Sequence, residues 1–432
     1  MFLKTISRFN ISRVLKGVNR IPLSKRCLHV STVSNEKKFV NFETEFVYKF
    51  VQNYDQEKIE CKQTFQNFKF NEDLTGKTTA ELVEAFEALS HHCANTQTEI
   101  SCDDYDKFVN QFVKEIAKFK DEEIMKVLSD MPRFSQTKGT SSKNFQPLWE
   151  TLDEVCCSRM INWKLPTLLK VSNLWYKNHL AKLGRFTGNA LIKMCRRIRQ
   201  FTAKELVEAM FYLTVCRRKI NMIDVEKRFL SVFDQLDINE IGIICLAFFK
   251  TESKMHNREL IEKIYDRTTQ DIEIIEDITI VNIMKSLRYS SEPTHVPKMP
   301  ALCNAMLPRI PSFNLLACLH IALLGTNLQY CHNELLEMIL KKYDEKLKEA
   351  RLKDIERIAF IMGLFDIKTK SGVEKSLLKK INEELKIRIQ EIMRHPKCLA
   401  STAHYLSVCG VYDPELISSA LNEEFVKYAY GE

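Results

Sequence analysis

The chain has 432 residues, of which 45% are hydrophobic, and it contains only 11 glycines and 11 prolines. This apolar fraction argues against a disordered protein, and the scarcity of turn-forming residues argues against sandwich and barrel folds. The net charge of +8 is concentrated at the start, because residues 1–34 hold seven Lys and Arg and no acid. The remaining chain carries about +1 by subtraction, so overall charge gives no evidence for nucleic-acid binding.

The segment of residues 1–34 has the pattern of a targeting signal. Phe2, Leu3 and Ile6 are interleaved with basic residues, and Ser and Thr are frequent. A basic, acid-free and amphipathic N-terminus is typical of a mitochondrial transit peptide, so we expect the protein in the mitochondrial matrix; an ordinary basic tail is the alternative. Residues 35–75, rich in Phe and charge, are predicted to form an irregular N-terminal extension or a first irregular helix pair.

A helical pattern recurs along residues 76–432. An equivalent Leu or Ile marks each copy, and we name these residues the anchors: Leu82, Ile124, Leu165, Leu206, Ile241, Ile278, Leu315, Ile355 and Leu399. Successive anchors are 35 to 44 residues apart, and the residue three positions later is apolar in every copy except the last, Thr402. Residues three apart share one helix face. The period predicts an all-α fold, an α-solenoid of about nine helical hairpins.

Each anchor helix is expected to pair with a second helix. The predicted second helices cover residues 105–119, 145–160, 187–200, 224–236, 258–268, 301–307, 332–347, 372–393 and 414–428. The stretch Ser135–Ser142, which contains Gly139, is predicted to be a mobile loop. The longest apolar run, Ile241–Phe249, is far shorter than the ~20 residues that a membrane-spanning helix needs, so no membrane span is expected.

Signatures of catalysis are missing from the sequence. There is no Gly-x-Gly-x-x-Gly motif, no glycine-rich phosphate loop and no His-Glu-x-x-His zinc motif. The 14 cysteines include no Cys-x-x-Cys pair, which predicts free structural thiols and no metal site. We therefore predict that the protein is not an enzyme and that it has no catalytic residue, cofactor or metal.

Positive charge is concentrated between residues 159 and 228, where sixteen Lys and Arg accompany only four acids, a balance of +12. On the helix predicted over residues 187–200, Lys193, Arg196 and Arg197 lie opposite the apolar face. Like charges at this spacing repel one another unless solvent, salt or a polyanion relieves them. The predicted contacts to RNA phosphates are Arg185, Lys193, Arg196, Arg197, Arg217, Arg218 and Lys219.

Two interpretations of this basic segment remain open. In the first it is a solvated face, and the neighbouring aromatic residues Trp175, Tyr176 and Tyr212 are packed in the core. In the second it is a groove that follows the phosphates of single-stranded RNA, with aromatic or Arg side chains stacked on the bases. Helical-repeat proteins are a known means of binding single strands, which favours the second interpretation.

The segment Leu236–Lys250, with the sequence LDINEIGIICLAFFK, resembles the helical region of the FAST-kinase-domain-containing family. The similarity extends over roughly residues 76–430 in the spacing of the helices. The resemblance implies a mitochondrial protein that acts in RNA processing, stability or translation. Members of the family carry a small C-terminal RAP domain that resembles nucleases, and we expect this chain to lack it because the sequence ends soon after a repeat helix.

Our leading hypothesis is a matrix helical-repeat protein that binds mitochondrial RNA, with ribosomal or other ribonucleoprotein proteins as further candidate partners. The main alternative is a protein-binding scaffold, similar to HEAT or armadillo proteins, for assembly of the mitochondrial ribosome or a respiratory complex. An enzyme, complete as it stands or with a catalytic domain beyond this sequence, is the third. The sequence does not specify which RNA is bound or the oligomeric state.

Overall fold

The computed structural model describes residues 42–52, 74–134 and 139–431. All regular elements in these ranges are helical, with 21 α-helices, short 3-10 turns and no strand, which confirms the predicted all-α class. The predicted transit peptide, most of the N-terminal extension and the first half of the predicted mobile loop, residues 135–138, lie outside these ranges. The described residues divide into two compact units. The N-terminal unit ends at Ser253, and the C-terminal unit begins at Lys254.

The N-terminal unit contains ten helices among its described residues. They are α1 (Phe42–Gln52), α2 (Thr79–Thr96), α3 (Asp106–Glu115), α4 (Asp121–Asp130), α5 (Phe145–Arg159), α6 (Leu165–Lys177), α7 (Phe186–Cys195), α8 (Ala203–Cys216), α9 (Met222–Val232) and α10 (Ile238–Lys250). The even-numbered helices from α2 to α10 carry the anchors, and each packs against the next one in that series. The second helices form a parallel series in which α3 packs on α5 and α5 packs on α7.

The C-terminal unit repeats the same arrangement. Its helices are α11 (Arg258–Gln270), α12 (Asp277–Ser290), α13 (Met299–Met306), α14 (Leu315–Leu324), α15 (Asn333–Lys346), α16 (Leu352–Phe365), α17 (Val373–Ile387), α18 (Ile389–Arg394), α19 (Pro396–Val408), α20 (Pro414–Ala420) and α21 (Glu423–Tyr430). The anchor helices α12, α14, α16 and α19 stack in that order, and the second helices α11, α13, α15 and α17 do the same. Helical pairs thus stack within each unit, and a single continuous solenoid stays a prediction.

The start of an anchor helix is fixed by a reciprocal cap. The backbone N–H of Thr202 donates to Glu205 Oε2 at 2.7 Å, and the N–H of Glu205 donates back to Thr202 Oγ1 at 3.2 Å. Asp237 and Glu240 form the same pair at 2.9 and 2.8 Å. Such a capping box satisfies donors that have no partner inside the helix, so a Thr or Asp followed by Glu defines where the helix begins.

The observed helix starts show that three anchors were placed in the wrong register. In six repeats the anchor is the fourth residue of its helix and is buried, as Leu82 and Leu206 are. Leu165, Ile278 and Leu315 are instead the first or second residue of their helices and are only partly buried. The fourth residues there, which are buried, are Leu168, Ile280 and Cys318. Leu165 and Leu168, like Leu315 and Cys318, are three residues apart and share a face, so at these two repeats the pattern alone did not distinguish the first turn from the second.

A cation from one repeat holds the backbone of the repeat before it. We name these residues the carbonyl-clamp cations: Arg159, Lys193, Arg228, Arg309, Lys342 and Arg388. Arg228 Nε, for example, donates to Phe201 O at 2.6 Å, and Arg388 Nη1 donates to Ala350 O at 2.6 Å. The acceptors lie where a second helix or its terminal 3-10 turn ends, and such carbonyls lack helical partners and carry partial negative charge. The clamp therefore ties consecutive repeats together.

Candidate nucleic-acid interface

The basic segment lies on helices α5 to α9, and the seven predicted contact residues fall into two clusters at opposite ends of α7. Arg185 is the residue before α7, whereas Arg196 and Arg197 follow its last residue, Cys195. A helix of ten residues is ~15 Å long, so the two clusters do not converge on one point. The predicted helix over residues 187–200 was too long: it ends at Cys195, and a separate 3-10 turn covers Ile198–Gln200.

At the start of α7, Arg185 is held by carboxylates. Its Nε donates to Asp153 Oδ2 at 3.0 Å, and its Nη2 lies 3.6 Å from Glu154 Oε1. Asp153 is buried, and its other oxygen accepts the N–H of Phe186 at 2.8 Å. The hydrogen bond to Asp153 raises the pKa of Arg185. Much of the charge of Arg185 is therefore already compensated inside the protein.

The cations after α8 reach the same end of α7. A Cβ atom on Gly188 would lie 2.5 Å from Arg218 Nε, so the glycine lets the guanidinium approach α7 closely in this side-chain conformation. Arg217 ends α8 with a left-handed φ of 52°. Arg217, Arg218 and Lys219 are exposed, and none of their side chains forms a hydrogen bond or ion pair with another described residue. These three charges face solvent uncompensated.

Lys193 has a structural partner set that the sequence did not reveal. Its ammonium donates to the carbonyl oxygens of Met160, Ile161 and Trp163 at 2.5, 2.7 and 2.9 Å. An ammonium has three donors, and all three are engaged. Burial and the charge of Arg197 lower the pKa of Lys193. Lys193 therefore has no free donor for a phosphate.

Arg196 and Arg197 form the second uncompensated cluster. Both are exposed, and within the described chain neither guanidinium has a hydrogen bond or ion pair. Arg199, by contrast, is paired with Asp224 through contacts of 3.1 and 2.6 Å. A cleft of about 280 Å³ lies beside Arg196, lined by Met160, Ile161, Asn189, Ile192 and Lys193.

Two of the three aromatic residues near the basic segment are unavailable for base stacking. Trp175 and Tyr212 are fully buried, and the hydroxyl of Tyr212 donates to Glu208 Oε1 at 3.1 Å. Tyr176 is half-buried and packs against Tyr48 of α1. The core-packing interpretation is thus correct for Trp175 and Tyr212, which leaves Tyr176 and Arg side chains for any stacking.

Helix α1 covers part of the anchor-helix layer, a contact that the sequence analysis missed. The hydroxyl of Tyr48 donates to Asn173 Oδ1 at 2.6 Å, and its ring lies 4.4 Å from that of Tyr176 and 5.5 Å from that of Phe211. The helix also packs on α10. The only sequence signal was the four-residue spacing of phenylalanines between residues 42 and 50, which indicates a helix but not its docking site.

No group of three or more His, Cys, Asp or Glu in the described ranges is arranged to hold a metal ion, and none of the helices there is long and apolar enough to cross a membrane. The described cysteines are free. Burial raises the pKa of Cys156 and Cys195 to about 12, so these thiols stay protonated and act as small apolar side chains.

The fold and this surface define an all-α protein of stacked helical pairs with two clusters of exposed cations that have no partner among the described residues. No family model matches the chain. Curated relatives do: FAST kinase domain-containing protein 5, mitochondrial, is 24% identical in both Pongo abelii and Homo sapiens over 63% of this chain, and 23% identical in Mus musculus over 73%. The chain is thus similar to members of the FAST-kinase-domain-containing family, the family that the sequence resemblance indicated. The match spans only 36% to 40% of the length of those relatives.

Proposed function

We propose that this protein binds single-stranded RNA in the mitochondrial matrix and acts in RNA processing, stability or translation. One observation carries the proposal. Five cations, Arg196, Arg197, Arg217, Arg218 and Lys219, are exposed without a partner among the described residues, within a segment whose balance is +12. The relatives are named as mitochondrial proteins, which supports the location.

Exposed like charges without partners favour the binding of a polyanion. Arg196 and Arg197 are adjacent, as are Arg217 and Arg218, and their mutual repulsion is relieved only by solvent, salt or a ligand. RNA supplies a line of phosphates and releases its bound counterions when they are neutralised. Contacts of this kind give affinity and position and carry no sequence information. The proposed role is binding, and none of these residues is assigned a catalytic step.

The first prediction concerns the salt dependence of RNA binding. Replacing Arg217, Arg218 and Lys219 by Gln should lower the slope of log affinity against log salt by about 2, since each lost contact to a single strand contributes about 0.7. Fluorescence anisotropy with a labelled single-stranded RNA of mixed sequence, measured from low to physiological salt, gives the slope.

The matched control changes the same amount of charge elsewhere. Lys370, Lys375 and Lys379 are exposed and lie in the C-terminal unit, and their triple replacement by Gln should leave the slope unchanged. Equal slopes for the wild-type protein and both variants would contradict the proposal.

The alternative function, a protein-binding scaffold, is favoured by apolar side chains left at the surface of the C-terminal unit. Val408, Tyr412 and Leu421 are 58%, 72% and 73% exposed, and clustered exposed apolar residues often mark protein contacts. Co-purification after nuclease treatment separates the two functions. Partners from the mitochondrial ribosome or a respiratory assembly complex that stay bound without RNA would favour the scaffold.

A further inference from the structure

We propose that the cleft at the end of α7 accommodates one unstacked base of the bound RNA, and that it prefers a base with an exocyclic amine. This inference rests on the proposed function and identifies the part of the RNA that this site takes. The cleft of about 280 Å³ is formed between the end of α5 and the outer face of α7. That size is near the ~300 Å³ lower end of small-molecule pockets, which suits a single flat ring system.

The floor of the cleft is apolar and uncovered. Ile161 is 73% exposed and Ile192 is 42% exposed, and both line the cleft together with Met160. Leaving such side chains in water is unfavourable by ~25 cal/mol for each Å² of apolar surface. A flat, weakly hydrated face such as that of a nucleobase would remove this surface from water.

The position of the floor is fixed by Lys193. Its ammonium binds the carbonyls of Met160 and Ile161, which belong to the repeat before α7. Ile192 is the neighbour of Lys193 on α7, so the same contact sets the distance between the two apolar walls. The cleft is therefore a built feature of the interface between two repeats and not an accident of one loop.

The polar group at the rim is the amide of Asn189. Its Nδ2 is directed at Cys157 Sγ, 3.8 Å away, and its Oδ1 accepts no hydrogen bond from another described residue. Asn189 and Lys193 are four residues apart and share one face of α7. A free carbonyl oxygen accepts from an exocyclic amine, as adenine and cytosine have, whereas the corresponding position of uracil is itself an acceptor.

The positive charges beside the cleft favour a nucleobase over an apolar protein side chain as its occupant. Arg196 lines the cleft, Arg197 follows it, and neither has a partner in the described chain. A nucleotide places a phosphate within reach of such cations whenever its base enters the cleft. Arg guanidinium planes also stack on bases that are splayed out of a single strand. An apolar peptide side chain would leave both charges uncompensated.

The test uses the full chain and three labelled single-stranded RNAs of twelve nucleotides, rich in A, in C and in U. The wild-type protein should bind the A-rich and C-rich RNAs about fivefold more tightly than the U-rich RNA, the size expected for one hydrogen bond. Asn189→Leu should abolish this preference without changing the salt slope. Gln200→Leu, at an exposed amide outside the cleft, should keep the preference.

A second pair of variants tests the floor. Ile161→Asp should weaken binding of all three RNAs more than Leu183→Asp does, although both add one negative charge to the basic segment at an exposed apolar position. Both positions are more than half exposed, so folding is expected to be retained, and circular dichroism checks it.

The outcomes separate the two proposals. If the wild-type protein does not bind RNA at low salt, the proposed function and the cleft fail together. If it binds with a steep salt slope but shows no base preference, or keeps that preference in Asn189→Leu, the cleft is overturned and the proposed function stands. Equal losses for Ile161→Asp and Leu183→Asp would also overturn the cleft.

Discussion

At the scale of single residues, similar basic side chains within the basic segment have different structural roles. Lys193 satisfies three backbone carbonyls, Arg185 neutralises the buried Asp153, and Arg197 has no described partner. Their residue types and spacing gave no means of separating them. What separates them is the partner supplied by a neighbouring repeat about 30 residues away in sequence. Local sequence patterns contain no information about such partners.

The structural role assigned to Lys193 leads to a prediction about stability. Lys193→Met keeps the aliphatic stem but leaves three carbonyls without their donor, and we expect a loss of about 1–2 kcal/mol in the free energy of unfolding. RNA affinity should keep its salt slope. Lys182→Met, at an exposed lysine of the same segment, is the control and should leave stability unchanged. A lower RNA slope with unchanged stability in urea unfolding would show Lys193 to be a phosphate contact instead.

A second prediction at this scale concerns acid. Asp413 caps α20 and accepts from Lys386 and Asn382 at 2.7 Å each. Although burial opposes ionisation, the hydrogen bonds from Lys386 and Asn382 outweigh it and lower the pKa of Asp413 to about 2. A lowered folded-state pKa stabilises the protein above the unfolded pKa of about 4 and loses that effect as pH falls from there toward 2.

We therefore expect Asp413→Asn to lower the free energy of unfolding by up to about 2 kcal/mol at neutral pH. The difference in the free energy of unfolding between the variant and the wild-type protein should become smaller below pH 4. Urea unfolding at pH 7, 5 and 3 measures it, and a gap that does not change with pH would rule out the ionised carboxylate as the source.

At the scale of helices, one type of contact recurs between consecutive repeats in the described chain. Six second helices or their terminal turns end in carbonyls that accept from a cation of the following repeat, as Glu273 O does from Arg309 at 2.7 Å and Ile310 O does from Lys342 at 2.8 Å. Helix starts are stabilised by residues close in sequence, through caps such as Thr202 with Glu205. The start of a helix can therefore be predicted from the sequence, whereas its end depends on contacts between repeats.

This difference explains which parts of the fold were predictable. The helical pairs followed from apolar residues three apart, because burial of one face is all that the pattern requires. The register failed at Leu165, where an apolar residue also occupies the next turn. The candidate site was predictable only as excess charge. The cleft beside Arg196 lies between the end of α5 and α7, two helices that pack together, and no single helix pattern encodes such a contact.

At the scale of the whole N-terminal unit, α1 is attached by contacts distant in sequence, and this gives a further prediction. Tyr48→Ala removes the hydroxyl bond to Asn173 and the ring contacts with Tyr176 and Phe211. We expect faster hydrogen–deuterium exchange of α1 amides, with α6 and α8 keeping their protection. Lys49→Ala, at an exposed neighbour on the same helix, should leave exchange unchanged. Equal exchange in both variants would contradict the docking of α1.

The attachment of α1 also has a consequence for the order in which the molecule is made. Tyr48 precedes its hydrogen-bond partner by 125 residues, and ribosomes add roughly 5–20 residues per second. An amphipathic segment therefore emerges several seconds before any surface exists to receive it. During that interval it is open to chaperones, and the same delay recurs whenever the chain is threaded, leading end first, through a narrow channel.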